Sequence, residues 1–414
     1  MHIGRSGSIR HIARIGGCLL LMAGCTSTTE PEIRIETIPA GSKATSAEAP
    51  MLRDALGRMP YTLSLPDHIL PPKIPADNPM TREGVNLGRM LFYDPILSGN
   101  NEQSCSSCHQ QKYAFTDGKR VSIGATGAVG YRNTMTLTNL AWADTLMWDG
   151  SASSLEEQAM FPITDPREMD QDIDELAEEL KAHPRYAKLF ASAFPGEEIT
   201  VLLVNKALAQ FIRTLVSFSA PYDFLAPEDG EGVELTAQQT RGSTLLTERL
   251  PKNDPEGTLD LCNVCHDQTK GLRPRPKTEE HGLRGLFTST GFSNNGLPLS
   301  KADLGRYQIT KKEEDKGQFN IPTVRNIALT RPYMHDGRFE TLHEVMEHYN
   351  DHMQDIANLD PRLRGKDGPF RMNLTDEDID DIVVLLELFT DESFTTNPAF
   401  ADPMGSGAGV DAVH

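Results

Sequence analysis

The chain has 414 residues and is acidic, with 59 Asp and Glu against 40 Lys and Arg, a formal net charge of −19. Such a balance argues against nucleic acid or an anionic membrane surface as a partner. The length leaves room for two domains once polar end segments are set aside.

The first element in chain order is basic, with Arg5, Arg10 and Arg14, and runs into an apolar stretch from Ile15 to Ala23. It reads as an export signal and is too short to span a membrane. Its end, Leu21-Met22-Ala23-Gly24-Cys25, resembles a bacterial lipoprotein cleavage box, so Cys25 is the expected site of lipid attachment. Ordinary cleavage near Ala23, leaving a soluble periplasmic protein, is the competing reading. Loss of residues 1–24 removes Cys18 and three arginines and takes the net charge from −19 to −22. Residues 25–55 are rich in Thr, Ser, Pro and Glu, a tether with no core of its own.

Cys105-Ser-Ser-Cys108-His109 and Cys262-Asn-Val-Cys265-His266 are two copies of C-x-x-C-H, the attachment signature of c-type haem. Two cysteines three apart can each form a thioether to one porphyrin, and the next histidine then lies under the iron. A zinc site would need four converging ligands, whereas here each cysteine pair brings its own histidine. Two covalently bound haem c groups are therefore expected, with His109 and His266 as iron ligands. Export agrees with this, because c-type attachment takes place outside the cytoplasm; the expected location is the periplasm or cell envelope.

Between and around the motifs the pattern is helical. Asp172 to Phe190 is amphipathic, and Val201 to Phe218 reads as a core helix, with Leu208, Phe211, Ile212 and Leu215 at helical spacing. Thr341-Leu-His-Glu344 is a capping box opening a helix that runs through Tyr349, and Thr375 caps another from Asp376 to Leu388. Gly124, Gly127 and Gly130 form a glycine-spaced loop with no strand before it and no Gly-Lys-Ser/Thr after it, so it is no phosphate cradle. Strand signals are short and scattered. The expected fold is all-α: two cytochrome-c-like haem domains, residues 56–225 and 226–400, with long loops, little strand and a flexible tail at 401–414. The arrangement allows the last helix to return and pack on the first domain.

Around the first haem motif stand Phe115-Thr-Asp-Gly118, Met147-Trp148-Asp149-Gly150, Ser154-Leu-Glu-Glu-Gln158 and Pro166-Arg-Glu168-Met169. The second half carries Ile321-Pro-Thr-Val-Arg-Asn326 and Thr330-Arg-Pro-Tyr-Met-His335-Asp-Gly337. In these motifs, over about residues 75 to 392, the chain resembles the bacterial di-haem cytochrome c peroxidases and the related MauG branch. The resemblance implies an oxidoreductase that reduces hydrogen peroxide, with Glu168 as acid–base group, Gln158 beside it and Trp148 as a relay between the irons. Peroxide cleavage needs one group that moves a proton between its two oxygens. Trp142 reads as an ordinary core tryptophan. Electrons would come from a small cytochrome c or a cupredoxin. The alternative is a MauG-like enzyme that oxidises residues of a partner protein through high-valent iron, and a pure electron carrier ranks last because it has no use for Glu168. The resemblance also implies a calcium ion held by Asn133, Thr330 and Pro332.

Two departures from the best-known members bear on mechanism. Where they cap the first iron with a histidine, this chain has Ala125, so that iron is expected to be open to peroxide without prior reduction. Where they place a methionine on the second iron, this chain has Tyr349, as in the MauG branch, with Met346 and Met353 nearby on the helix as competing ligands. A phenolate favours high oxidation states of iron, whereas a thioether raises the potential.

Overall fold

The computed structural model describes residues 53–225, 232–248, 262, 265–267, 272, 285–288 and 291–405. The export segment, Cys25, nearly all of the tether and most of the tail lie outside the described residues, as does 226–231, where the sequence reading sets the domain boundary.

Caps and apolar periodicity account for most of the helices. α1 (Arg82–Tyr93) starts where the Thr81 side chain accepts the Gly84 N–H. The short α2 (Cys105–Cys108) carries the first haem motif. α3 (Leu155–Gln158) and α4 (Met160–Thr164) follow the Trp148 turn. Beyond them come α5 (Ile173–Ala182), capped by Asp172, and α6 (Pro184–Ala193). The single helix expected over Asp172 to Phe190 is thus two. Pro184 has no N–H to continue α5 and takes the first position of α6 instead.

α7 (Val201–Ile212) is the core helix, with Leu208, Phe211 and Ile212 buried. It stops short of the expected Phe218; Leu215 is fully buried but lies beyond the helix end. α1 crosses α7 so closely that a side chain at Gly88 would collide with the Ala207 carbonyl. This crossing centres an apolar core that includes Leu91, Phe92, Phe115, Tyr186, Phe190 and Phe211.

The second half is built on α8 (Ala237–Glu248), α9 (Tyr307–Thr310), α10 (Leu342–Glu347) and α11 (Asp376–Glu387). The expected capping box forms at Thr341 with Glu344, and the expected cap at Thr375 is also a box, closed by Asp378. Arg241 of α8 pairs with the buried Asp381 of α11 at 2.7 Å. α12 (Glu392–Thr396) and the segment after it return to the first core: Phe394 meets Phe115 edge-on at 5.4 Å, and Tyr93 donates to the Phe400 carbonyl at 2.6 Å. Strand is confined, among the described residues, to two antiparallel pairs of two-residue strands, β1 (Phe292–Ser293) with β2 (Phe319–Asn320) and β3 (Arg364–Gly365) with β4 (Gly368–Pro369).

Candidate active site: two haem-binding motifs and what faces them

At the first motif, α2 is followed by a sharp turn in which Ala114 and Phe115 both adopt left-handed backbone (φ 49° and 62°). Such residues cost on the order of 1–3 kcal/mol each and cluster at functional sites. Here the turn presents the Phe115 carbonyl to His109, whose Nδ1 lies 2.8 Å from it. With the Nδ1 proton donated to a carbonyl, Nε2 is the nitrogen left to bind a metal, and the ring orientation is set. Burial holds His109 below its ordinary pKa, so the imidazole is neutral, as a ligand must be.

The second motif repeats the device with different residues. His266 Nδ1 lies 2.9 Å from the Pro322 carbonyl, and burial pushes its pKa down to about 4. None of the four motif cysteines is in a disulfide. Among the described residues no three His, Cys, Asp or Glu side chains converge as a metal cage. The donor set therefore fits two covalently attached haems.

Glu168 stands on a turn from Asp165 to Asp170 that folds back on α4. Its surface is exposed, yet enough protein crowds the carboxyl that desolvation raises its pKa, with the neighbouring Asp165 adding to the rise. Burial comes first in raising the pKa values of Cys105 and Cys108, and the Glu168 charge is a lesser cause behind Cys108 for the one and Asp117 for the other. The glycine-spaced loop is pinned onto this turn. Ala125 N donates to the Glu168 carbonyl at 2.6 Å and Thr126 Oγ1 to the Pro166 carbonyl at 2.8 Å. Asn100 and Gln103 hold the loop from the other side through the Ala125 and Ile123 carbonyls. A side chain at Gly124 would strike the Arg167 carbonyl and the Glu168 nitrogen, which is the reason glycine stands there. Gln158 ends α3 and contacts the Met147 sulfur at 3.5 Å.

Trp148 joins the two halves. Its indole N–H donates to the Asn133 carbonyl at 2.8 Å, and its own carbonyl accepts from Asn320 N at 2.7 Å. His335 lies edge-on to it at 6.5 Å and stacks on Phe319 at 3.7 Å. The Trp148 turn is anchored by Arg132, which pairs with Asp149 at 2.7 Å and Asp303 at 2.8 Å. Trp142 is only half-buried, at the edge of a small cluster, where it packs against Phe218 and donates to the Leu70 carbonyl.

A cavity of about 280 Å³ opens beside His266 and is walled by Trp148, Phe319, Met346 and Tyr349. Tyr349 does not continue α10. The helix loosens into a π turn over His348–His352, a feature common at functional sites. Met353 packs with Leu359 and Leu363, and Tyr349 packs against the same cluster, while Met346 stays on the cavity wall. Burial pushes the Tyr349 phenol up to about 12, partly offset by a hydrogen bond from Asn295; the Cys262 and Cys265 sulfurs are close enough to add to the rise. Asn133, Thr330 and Pro332 border the same cavity. The Asn133 amide donates to the Lys119 and Arg120 carbonyls, which turns its oxygen the other way.

The Phe115 and Pro322 carbonyls, Arg132 and Asn295 escaped the sequence reading. Backbone acceptors carry no residue signature, and Asn295 lies 54 positions from the tyrosine that it touches.

Comparison with known proteins agrees with this geometry. Residues 82–230 match the model of the family described as di-haem cytochrome c peroxidase. The methylamine utilization protein MauG of Methylorubrum extorquens is 35% identical over 311 residues, which cover 74% of this chain and 79% of that one. The chain belongs to the di-haem cytochrome c peroxidase and MauG family. Cytochrome c551 peroxidase of Nitrosomonas europaea is 33% identical over 275 residues, 66% of this chain and 75% of that protein. A crystal structure of a MauG-like protein associated with microbial copper homeostasis superposes with a TM-score of 0.68 at 33% identity, covering 83% of this chain and 99% of the other. Family membership implies two haem c groups and hydrogen peroxide chemistry with a redox or protein partner. No described helix is long and apolar enough to cross a membrane.

Proposed function

We propose that this protein is a di-haem c-type peroxidase that reduces hydrogen peroxide to water with electrons from a small redox protein, a cytochrome c or a cupredoxin. The haems, when bound, supply redox-active iron that accepts two oxidising equivalents from peroxide and passes them on one at a time. The observation that carries the reading is the placement of Glu168: a carboxylate with a raised pKa on the turn to which the loop after the first motif is pinned. A carboxyl group tuned upward can take a proton from one peroxide oxygen and return it to the departing one near neutral pH. Gln158 would orient the peroxide, and His109 would hold the iron through Nε2. Trp148, bonded to both halves, would couple the two sites. Residues 56–225 would form the peroxidatic domain and 226–400 the electron-transfer domain.

At the second site His266 and Tyr349, which line one cavity, would both ligate iron. That phenol favours a second reading, in which the same enzyme oxidises residues of a partner protein, as an anionic oxygen ligand suits higher oxidation states. A calcium ion on the Asn133 side chain and the Thr330 and Pro332 carbonyls, all neutral oxygen donors, completes the proposal. Export by residues 1–24 and lipidation at Cys25 would place the enzyme in the periplasm on a lipid anchor. Steady-state turnover of peroxide with reduced cytochrome c tests the main reading. Rapid oxidation of the donor is expected. Failure with cytochrome c and cupredoxin alike, together with a persistent oxidised form after peroxide, would leave the protein-oxidising reading in its place.

A further inference from the structure

Asn295 is fixed by contacts that the peroxidase reading does not use. It follows β1 in a loop held at both sides. Asn294 donates to the Lys316 carbonyl, and Gln354 N donates to the Gly296 carbonyl at 2.9 Å. The backbone carbonyl of Asn295 accepts from His348 Nε2 at 2.9 Å. Its side chain then reaches the residue after His348, with Nδ2 lying 3.2 Å from the Tyr349 hydroxyl. The same nitrogen lies 3.4 Å from the Met334 sulfur. A thioether carries no proton and can only accept, so the amide turns its NH2 toward this pair and its oxygen away. Two hydrogens meet two acceptors, and one of these is the phenol oxygen of Tyr349, which lines the same cavity as His266.

We propose that Asn295 is a positioning residue for the distal ligand of the second haem, its amide N–H holding the Tyr349 oxygen and setting how much charge that oxygen gives to iron. The inference rests on the reading of Tyr349 as the ligand. A hydrogen bond to an anionic oxygen withdraws charge from it, which makes it a weaker donor and eases reduction of the iron. Met334 contributes by occupying the second N–H, which keeps the amide from rotating. His348 contributes through the backbone, so its contact survives any change of the Asn295 side chain.

The test is spectroelectrochemical titration and electron paramagnetic resonance of the haem-loaded protein. Asn295→Leu removes the donor; Asn295→Asp keeps the shape and replaces the donor by an acceptor, so it serves where the leucine variant fails to assemble. Both variants should make the second haem harder to reduce, with a change of about tenfold in its ferric/ferrous equilibrium, ~59 mV for one electron. The low-spin signal of that haem should shift, and the first haem should be unchanged. Met334→Leu should move the potential in the same direction and by less. A second-haem potential and signal identical to the parent's in both Asn295 variants, with Tyr349→Phe altering them, overturns the inference and leaves the ligand intact. If Tyr349→Phe also leaves them unchanged, the ligand reading itself has failed, and Asn295 with it.

Discussion

The two haem-binding sites start from the same five-residue motif and differ in the residues gathered around it. At each, a half-buried neutral histidine gives Nδ1 to a backbone carbonyl, Phe115 for His109 and Pro322 for His266. What faces them differs in chemistry and access. The first motif has Glu168 nearby, on an exposed turn with a raised pKa and a loop pinned against it. The second has a phenol in a lined cavity, tied to Asn295 and carried on a π turn. A proton-transfer group in reach of solvent suits peroxide cleavage, whereas a buried oxygen ligand suits storage of oxidising equivalents. On the proposed reading the shared motif would hold iron at both sites, and the residues around it would decide what the iron does.

The comparison breaks most sharply at Glu168. Glu168→Gln should retain both haems and lose about 10²–10⁴-fold in peroxide turnover, the usual range for an acid–base group. The pH profile sharpens the point. Burial and Asp165 raise the Glu168 pKa, so the proton-accepting form is lost at higher pH than for an ordinary carboxylate. The parent's kcat/KM should therefore fall as pH drops through a value above 4.5, the ordinary glutamate value, and the variant should lack that limb. Turnover within about threefold of the parent would remove Glu168 from the mechanism.

At the other site, Tyr349→Met should give the second haem the near-infrared band of a methionine–iron bond and raise its potential, since thioether replaces anionic oxygen. A parent that already shows this band, and loses it in Met346→Leu or Met353→Leu, would reduce Tyr349 to a packing residue. A smaller effect should follow from making the first site resemble a capped one. Ala125→His places an imidazole on the pinned loop next to Glu168, and a low-spin fraction should appear at the first haem. Its reaction with peroxide should slow accordingly, while the parent reacts at once in the diferric state. Smallest of all, Thr341→Ala removes the cap of the helix that leads to Tyr349. It should cost about 1 kcal/mol in denaturant unfolding and leave first-site turnover intact.

Covalent chemistry and local pattern were legible in the chain. Both C-x-x-C-H motifs, the helix caps at Thr341 and Thr375, the apolar stripe of α7 and the scarcity of strand need only neighbours within a few turns, so sequence spacing records them. The break at Pro184 was equally local and still escaped the reading, because amphipathic spacing runs on across His183 in spite of the missing N–H. Other features depend on residues distant in the chain. The π turn that carries Tyr349 contacts Asn295 through both His348 and Tyr349, and no periodicity in α10 announces it. The acceptors for His109 and His266 are backbone carbonyls, which every residue has. Folding alone chose Phe115 and Pro322 for that role, the one six residues from its histidine and the other 56. The raised pKa of Glu168 likewise belongs to its surroundings, since desolvation comes from the packing of α4, the Asp165 turn and the glycine-spaced loop around a carboxyl that in isolation would be ordinary.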